Sequence, residues 1–84
     1  MDKVSELIKI ARVKKNMTQK ELANKTGYAS MYISEIERGI KRPIRNIKVY
    51  RSICDVLDID PPIMIDSILC DLKDDMIRKW QVLF

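Results

Sequence analysis

Between Arg38 and Arg51 the chain places six cationic side chains, Arg38, Lys41, Arg42, Arg45, Lys48 and Arg51, and no anionic one. Guanidinium and ammonium groups at this density suit the neutralisation of a polyanion such as a phosphate backbone. The charge of the whole chain is divided in the same sense. Residues 1–51 hold 13 Lys/Arg and 5 Asp/Glu, a balance of +8. Residues 52–84 hold 3 and 7, a balance of −4, which leaves the net charge of +4. A basic part beside an acidic part suggests one surface meant for a polyanion and another kept away from it. On charge alone, an ordinary solvated face remains the plainer alternative.

Catalytic chemistry finds little support. The chain has no histidine, and its two cysteines, Cys54 and Cys70, stand 16 residues apart. There is no CxxC pair, no zinc-ligand spacing, no Cys/His nucleophile and no phosphate-cradling loop. We therefore expect no enzyme, no metal and no cofactor. The cysteines read as small reduced apolar residues, with a disulfide between Cys70 of two chains as the alternative. No pattern points to a small-molecule ligand.

The elements that must position the basic groups are helical. Alternating strand patterns are absent and glycine occurs only twice in 84 residues, so we expect one compact all-α domain. Val4, Leu7, Ile8 and Ala11 fall at helical spacing, predicting a first helix near 3–15, with Asp2 as a start and Asn16 as a left-handed stop. Thr18 and Glu21 are spaced as a capping box, flanked by Met17 and Leu22. They open a second helix running to about residue 25, and Gly27 supplies the turn after it. A third helix starts at Ala29 or Ser30, turns Ile33 and Ile36 inward, and ends at Gly39. A fourth runs near 45–57 with Ile47, Tyr50, Ile53, Cys54 and Leu57 on one side. Asp60-Pro61-Pro62 then introduces a fifth, near 62–80.

Two short helices joined through a glycine turn, inside a small bundle, make a helix-turn-helix. Here the sequence TQKELANKTGYASMYISEIERG, residues 18–39, resembles the lambda-repressor and Cro family, also called the Xre family. Thr18-Gln19, Leu22-Ala23, Gly27, Ile33-Ser34, Ile36-Glu37-Arg38-Gly39 and Pro43 carry the likeness, with Arg12 and Leu57 outside the motif. The resemblance covers about residues 3–60. It implies a five-helix, lambda-repressor-like fold, with residues 1–60 as the DNA-binding part and residues 61–84 completing the same domain.

The resemblance also implies roles. Ser30, Met31, Tyr32 and Glu35 would face DNA bases from the third helix. Gln19, Arg38, Lys41, Arg42, Arg45 and Lys48 would hold the backbone. Arg12 and Glu37 would form a structural salt bridge, and Ala23 would let the second and third helices approach. In chemical terms Glu35 can accept from a cytosine amino group, Met31 can meet a thymine methyl, and Ser30 can bond either way. This set has no arginine or glutamine, so DNA shape and backbone contacts would carry much of the recognition. The alternative for Met31 and Tyr32 is a place in the core or in a dimer contact. Two departures from the family stand out. Ala29 occupies a position where a capping side chain is usual, so Ser30 would cap instead. The span from Gly39 to Leu57 is about two residues longer than usual.

Ile65, Ile68, Leu69, Leu72, Met76 and Trp80 form a long apolar stripe on the fifth helix. Four short helices offer little surface to cover it. We expect part to fold back and part to pair with a second chain, giving a homodimer on a palindromic operator. The expected function is a sequence-specific, double-stranded DNA-binding transcriptional regulator that controls its own promoter, as a phage or mobile-element regulator or a restriction-modification controller. An antitoxin or antirepressor acting through the apolar tail is the alternative. No apolar run approaches the roughly 18 residues a bilayer requires, so a cytoplasmic protein is expected.

Overall fold

The computed structural model describes residues 3–40 and 46–83. They form five helices and, among the described residues, no strand: α1 (Lys3–Lys14), α2 (Gln19–Thr26), α3 (Ser30–Glu37), α4 (Ile47–Leu57) and α5 (Pro61–Leu83). The fold is the all-α, five-helix one that the pattern predicts. α2 and α3 pack on each other, α1 and α4 lie against them, and α5 crosses both α1 and α4.

Local chemistry explains most of the boundaries. After α1, Asn16 takes φ 53°, a left-handed conformation that its short amide tolerates better than most side chains. The capping box opens α2: the Glu21 amide donates to Thr18 Oγ1 at 3.1 Å, and the Thr18 amide donates to Glu21 Oε1 at 3.2 Å. Gly27, at φ 83°, closes the helix. Its amide and that of Tyr28 both donate to the Ala23 carbonyl, at 2.8 and 3.1 Å. α3 ends in a Schellman motif: the Gly39 amide reaches the Ile36 carbonyl and the Ile40 amide reaches the Glu35 carbonyl. The helix therefore stops at Glu37, two residues before the glycine named from sequence. At the α4–α5 corner Asp58 takes φ 55°, and the Asp60 carbonyl accepts the amides of Ile63 and Met64. Asp2, named as a start for α1, lies outside the described residues.

Ile8, Leu22, Ile33, Val49, Ile53 and Met64 are sealed at the centre of the core. Two expectations need correction. Ile47 was placed inward on the fourth helix, but it is 74% exposed and Val49 is fully buried instead. α4 begins only at Ile47. Its inward stripe runs Val49, Tyr50, Ile53, Cys54, Leu57, and Ile47 lies roughly 160° away from Val49 around the helix. The fifth helix is also longer than 62–80, and its apolar stripe divides. Met64 is buried, Ile68 and Leu72 are half-buried, and Ile65, Leu69, Met76 and Trp80 stand exposed.

Candidate nucleic-acid interface

A buried ion pair fixes the helix that would meet DNA. Arg12 of α1 donates from Nε to Glu37 Oε2 at 2.7 Å and from Nη2 to Oε1 at 2.9 Å. Its Nη1 donates to the Met17 carbonyl at 2.7 Å. The side chains are 12% and 2% exposed. A forked, two-point contact holds orientation as well as charge. Gln19 adds a weaker bond, Nε2 to Glu37 Oε1 at 3.3 Å. One knot thus joins α1, the turn after it, the start of α2 and the end of α3. Arg12 and Glu37 are brought together at its centre.

Held in this way, α3 buries Ile33 and Ile36 and turns its other side outward. Met31 is 68% exposed and Ser30 is exposed beside it. The N-cap is Ala29, which makes no side-chain cap bond, so Ser30 is the first helical residue rather than the cap. Glu35 is half-buried. Tyr32 divides between the two roles considered for it. It is half-buried against the core, and its ring lies 5.6 Å from that of Tyr28 at 57°. Burial first, and Tyr28 second, push its phenol above the ordinary value.

The groups expected on the phosphate backbone are placed less uniformly. Arg38 is exposed, with Nε directed at its own Ser34 carbonyl at 3.4 Å. Lys48 is exposed in the first turn of α4. Gln19 is half-buried, and its bond to Glu37 occupies one amide hydrogen. Lys41, Arg42, Arg45 and Pro43 lie outside the described residues. Arg51, part of the basic run, borders the groove between α4 and α5. Lys20 escaped the sequence reading. It is exposed and lines a surface concavity with Asn16, Thr18 and Gln19 at the start of α2. Its position next to Gln19 was the available signal.

Away from α3, the groove between α4 and α5 has a volume of about 630 Å³ and is lined by Ile47, Tyr50, Cys54, Ile65, Ile68 and Leu69 among others. Trp80, 66% exposed, continues the apolar surface along α5. Cys54 is buried and Cys70 half-buried, and both are free thiols. Burial, and then Asp55, push the Cys54 thiol up. Among the described residues no group of three His, Cys, Asp or Glu side chains could hold a metal ion, and no helix is long and apolar enough to cross a membrane.

Comparison with known proteins places this geometry. Residues 8–63 match the helix-turn-helix family model. The wild-type restriction-modification controller protein C.Esp1396I has a crystal structure similar to this one, with TM-score 0.67 and 32% sequence identity, covering 84% of this chain and 88% of that one. An arginine-to-alanine variant of the same controller protein gives TM-score 0.66 and 32% identity, over 84% of this chain and 92% of that one. No curated protein sequence matches. The chain belongs to the Xre-type helix-turn-helix family and is a DNA-binding transcriptional regulator.

Proposed function

We propose that the protein binds a palindromic operator in double-stranded DNA as a homodimer, and that it acts as a controller of a restriction-modification system or a closely similar genetic element, regulating its own promoter. The observation that carries the reading is the exposed side of α3, held at a fixed angle by the Arg12–Glu37 pair. An α-helix so presented suits the major groove. Ser30, Met31 and Glu35 would meet base edges, and Tyr32 would donate at the edge of the contact. Gln19, Lys20, Arg38 and Lys48 would meet phosphates on either side, joined by Lys41, Arg42 and Arg45. The controller reading draws on the likeness to C.Esp1396I.

Residues 61–84 would supply the dimer contact. Ile65, Leu69, Met76 and Trp80 run along one side of α5 for roughly 22 Å. They adjoin the groove with α4, and a second copy would cover both. Two reading helices related by a two-fold axis would then contact half-sites about one DNA turn, ~34 Å, apart.

Fluorescence anisotropy tests the reading. The protein is titrated onto DNA from immediately upstream of its own gene and onto a scrambled duplex, at about 0.15 M salt. A preference of roughly a thousandfold for the native duplex is expected, with affinity falling steeply as salt rises. Equal weak binding to both, together with stable capture of an unrelated protein through the α5 stripe, would replace this reading with an antitoxin or antirepressor.

A further inference from the structure

α5 is fixed to the rest of the molecule at two points. The first is its start, where Met64 enters the core and Ile68 packs against it one turn on. The second lies two turns beyond Met64, at Asp71. This residue is only 8% exposed. Its Oδ1 accepts the Lys3 amide at 2.8 Å and its Oδ2 accepts the Val4 amide at 3.0 Å. A helix start leaves amides without intrahelical acceptors and carries the positive end of the dipole. Asp71 thus caps α1 from a different helix, 67 and 68 residues along the chain. The exposed Lys3 ammonium nearby is pushed above its ordinary value, first by Cys70 and further by Asp74 and Asp71.

Apolar packing could have joined α5 to α1 without a carboxylate, and burying that group costs free energy unless it is fully bonded. What the carboxylate adds is direction. Hydrophobic contact is non-directional, whereas two hydrogen bonds to successive amides set both the rotation of α5 and its position along α1. Ile65, Leu69, Met76 and Trp80 lie roughly 120–180° around α5 from Asp71. The residue therefore sits behind the exposed stripe, not in it. On the other side, α1 is locked to α3 through Arg12 and Glu37. A continuous series of directional contacts runs from α5 through α1 to the reading helix.

We propose that Asp71 is a positioning residue for operator recognition: by fixing α5 on the start of α1, it sets the angle between the two reading helices of a dimer and hence the half-site spacing that the dimer accepts. This rests on the α5-mediated homodimer described above. The leverage is sufficient. A swing of about 10° across the 25 Å breadth of the molecule moves its far side by ~4 Å, more than the 3.4 Å rise of one base pair.

The test compares wild type with Asp71→Ala and Asp71→Asn. An operator is first selected from random duplexes, and versions with one base pair added to or removed from the spacer are made. Binding to each, binding to a single half-site, dimer mass and helicity are measured. Wild type should prefer the selected spacing by about tenfold or more, and Asp71→Ala should lower that preference at least about fivefold. Half-site affinity and dimer mass should not change. Asp71→Asn, which keeps one acceptor oxygen, should fall between the two. Folded variants that keep the full spacing preference overturn the proposal, as does a uniform loss of affinity at every spacing. If both variants unfold, Asp71 is a stability element only and the proposal fails. A wild type without any spacing preference overturns the dimer reading beneath it instead.

Discussion

Removing Arg12 should cost a large share of the protein's stability. In Arg12→Ala the Glu37 carboxylate stays in a site where its side chain is 2% exposed. Among the described residues its remaining partner there is the Gln19 amide, which donates at 3.3 Å. Breaking one side of a buried pair in this way costs ~3–5 kcal/mol. An 84-residue domain has in total about 4–13 kcal/mol, at 0.05–0.15 kcal/mol per residue. The loss is therefore at least about a quarter of the total and, at the low end of that range, enough to unfold the variant at 25 °C. Urea titration followed by far-ultraviolet circular dichroism reads this directly. With a slope near the low end for small domains, about 1 kcal/mol per molar, the midpoint should fall by ~3–5 M.

The double variant Arg12→Met with Glu37→Leu separates two explanations for that loss. It removes both charges, so no carboxylate is stranded. The Met17 carbonyl loses its 2.7 Å donor, which limits the recovery, since a buried group without a partner costs about 1–3 kcal/mol. The double variant should nevertheless be more stable than Arg12→Ala. Two results refute the reasoning: a single-variant loss below about 1 kcal/mol, or a double variant no better than the single. The first would mean that the pair is effectively solvated. The second would mean that the attraction itself, not the stranded charge, supplies the stability.

Other perturbations follow from the same geometry. Gly27→Ala should destabilise by about 1–2 kcal/mol through its φ of 83° alone, because a Cβ there meets nothing within 4 Å. Gly27→Asn should cost less, and a neutral alanine variant in urea titration would contradict this. Leu69→Asp and Trp80→Ala should convert dimer to monomer in sedimentation equilibrium while leaving helicity intact; unchanged mass would rule out the α5 contact. Cys54 should react with thiol reagents far more slowly than Cys70 in the native protein, since it is buried and its thiol is pushed up. The unfolded chain gives up the Cys54 proton first as pH rises. Its contribution to stability is therefore present below the unfolded thiol's pKa and declines through the alkaline range, measurable as a falling urea midpoint.

The legible parts of the fold were those encoded over a few residues. The Thr18/Glu21 box, the glycines at 27 and 39, the left-handed Asn16 and the proline at the start of α5 all act within one or two turns, and each has its structural counterpart. On α4 the inward positions of Tyr50, Ile53, Cys54 and Leu57 were legible, and only Ile47 took the place that belongs to Val49. Ile47, Tyr50, Ile53, Cys54 and Leu57 make an acceptable helical stripe on paper, but Val49 does so too. Only contact with the rest of the bundle decides between them. Asp71 was illegible for a stronger reason. Its partners are backbone amides 67 and 68 residues away, and a backbone amide has no sequence signature. An aspartate among Asp66, Asp74 and Asp75 looks like a solvated face. The stripe on α5 was visible as a stripe, yet its division into a buried side (Met64, Ile68, Leu72) and an exposed side (Ile65, Leu69, Met76, Trp80) depends on which side of α5 meets α1 and α4.

The energetics of the small helices also bear on how such a regulator would respond to its own concentration. α2 and α3 have eight residues each, well below the ~12–15 at which an isolated helix becomes even marginal in water. α3 therefore borrows its order from α2 and α1, against which it packs. On the proposed reading, α5 in turn leaves Ile65, Leu69, Met76 and Trp80 in water until a second copy covers them. Pairing then stabilises the fold and creates the two-headed reader in one step. Association with a partner stabilises the folded form by mass action. When most of the protein is monomeric, the dimer concentration, and with it operator occupancy, rises as the square of total protein. On that reading, a chain with a core this small would gain a steep threshold from the same contacts that complete its fold.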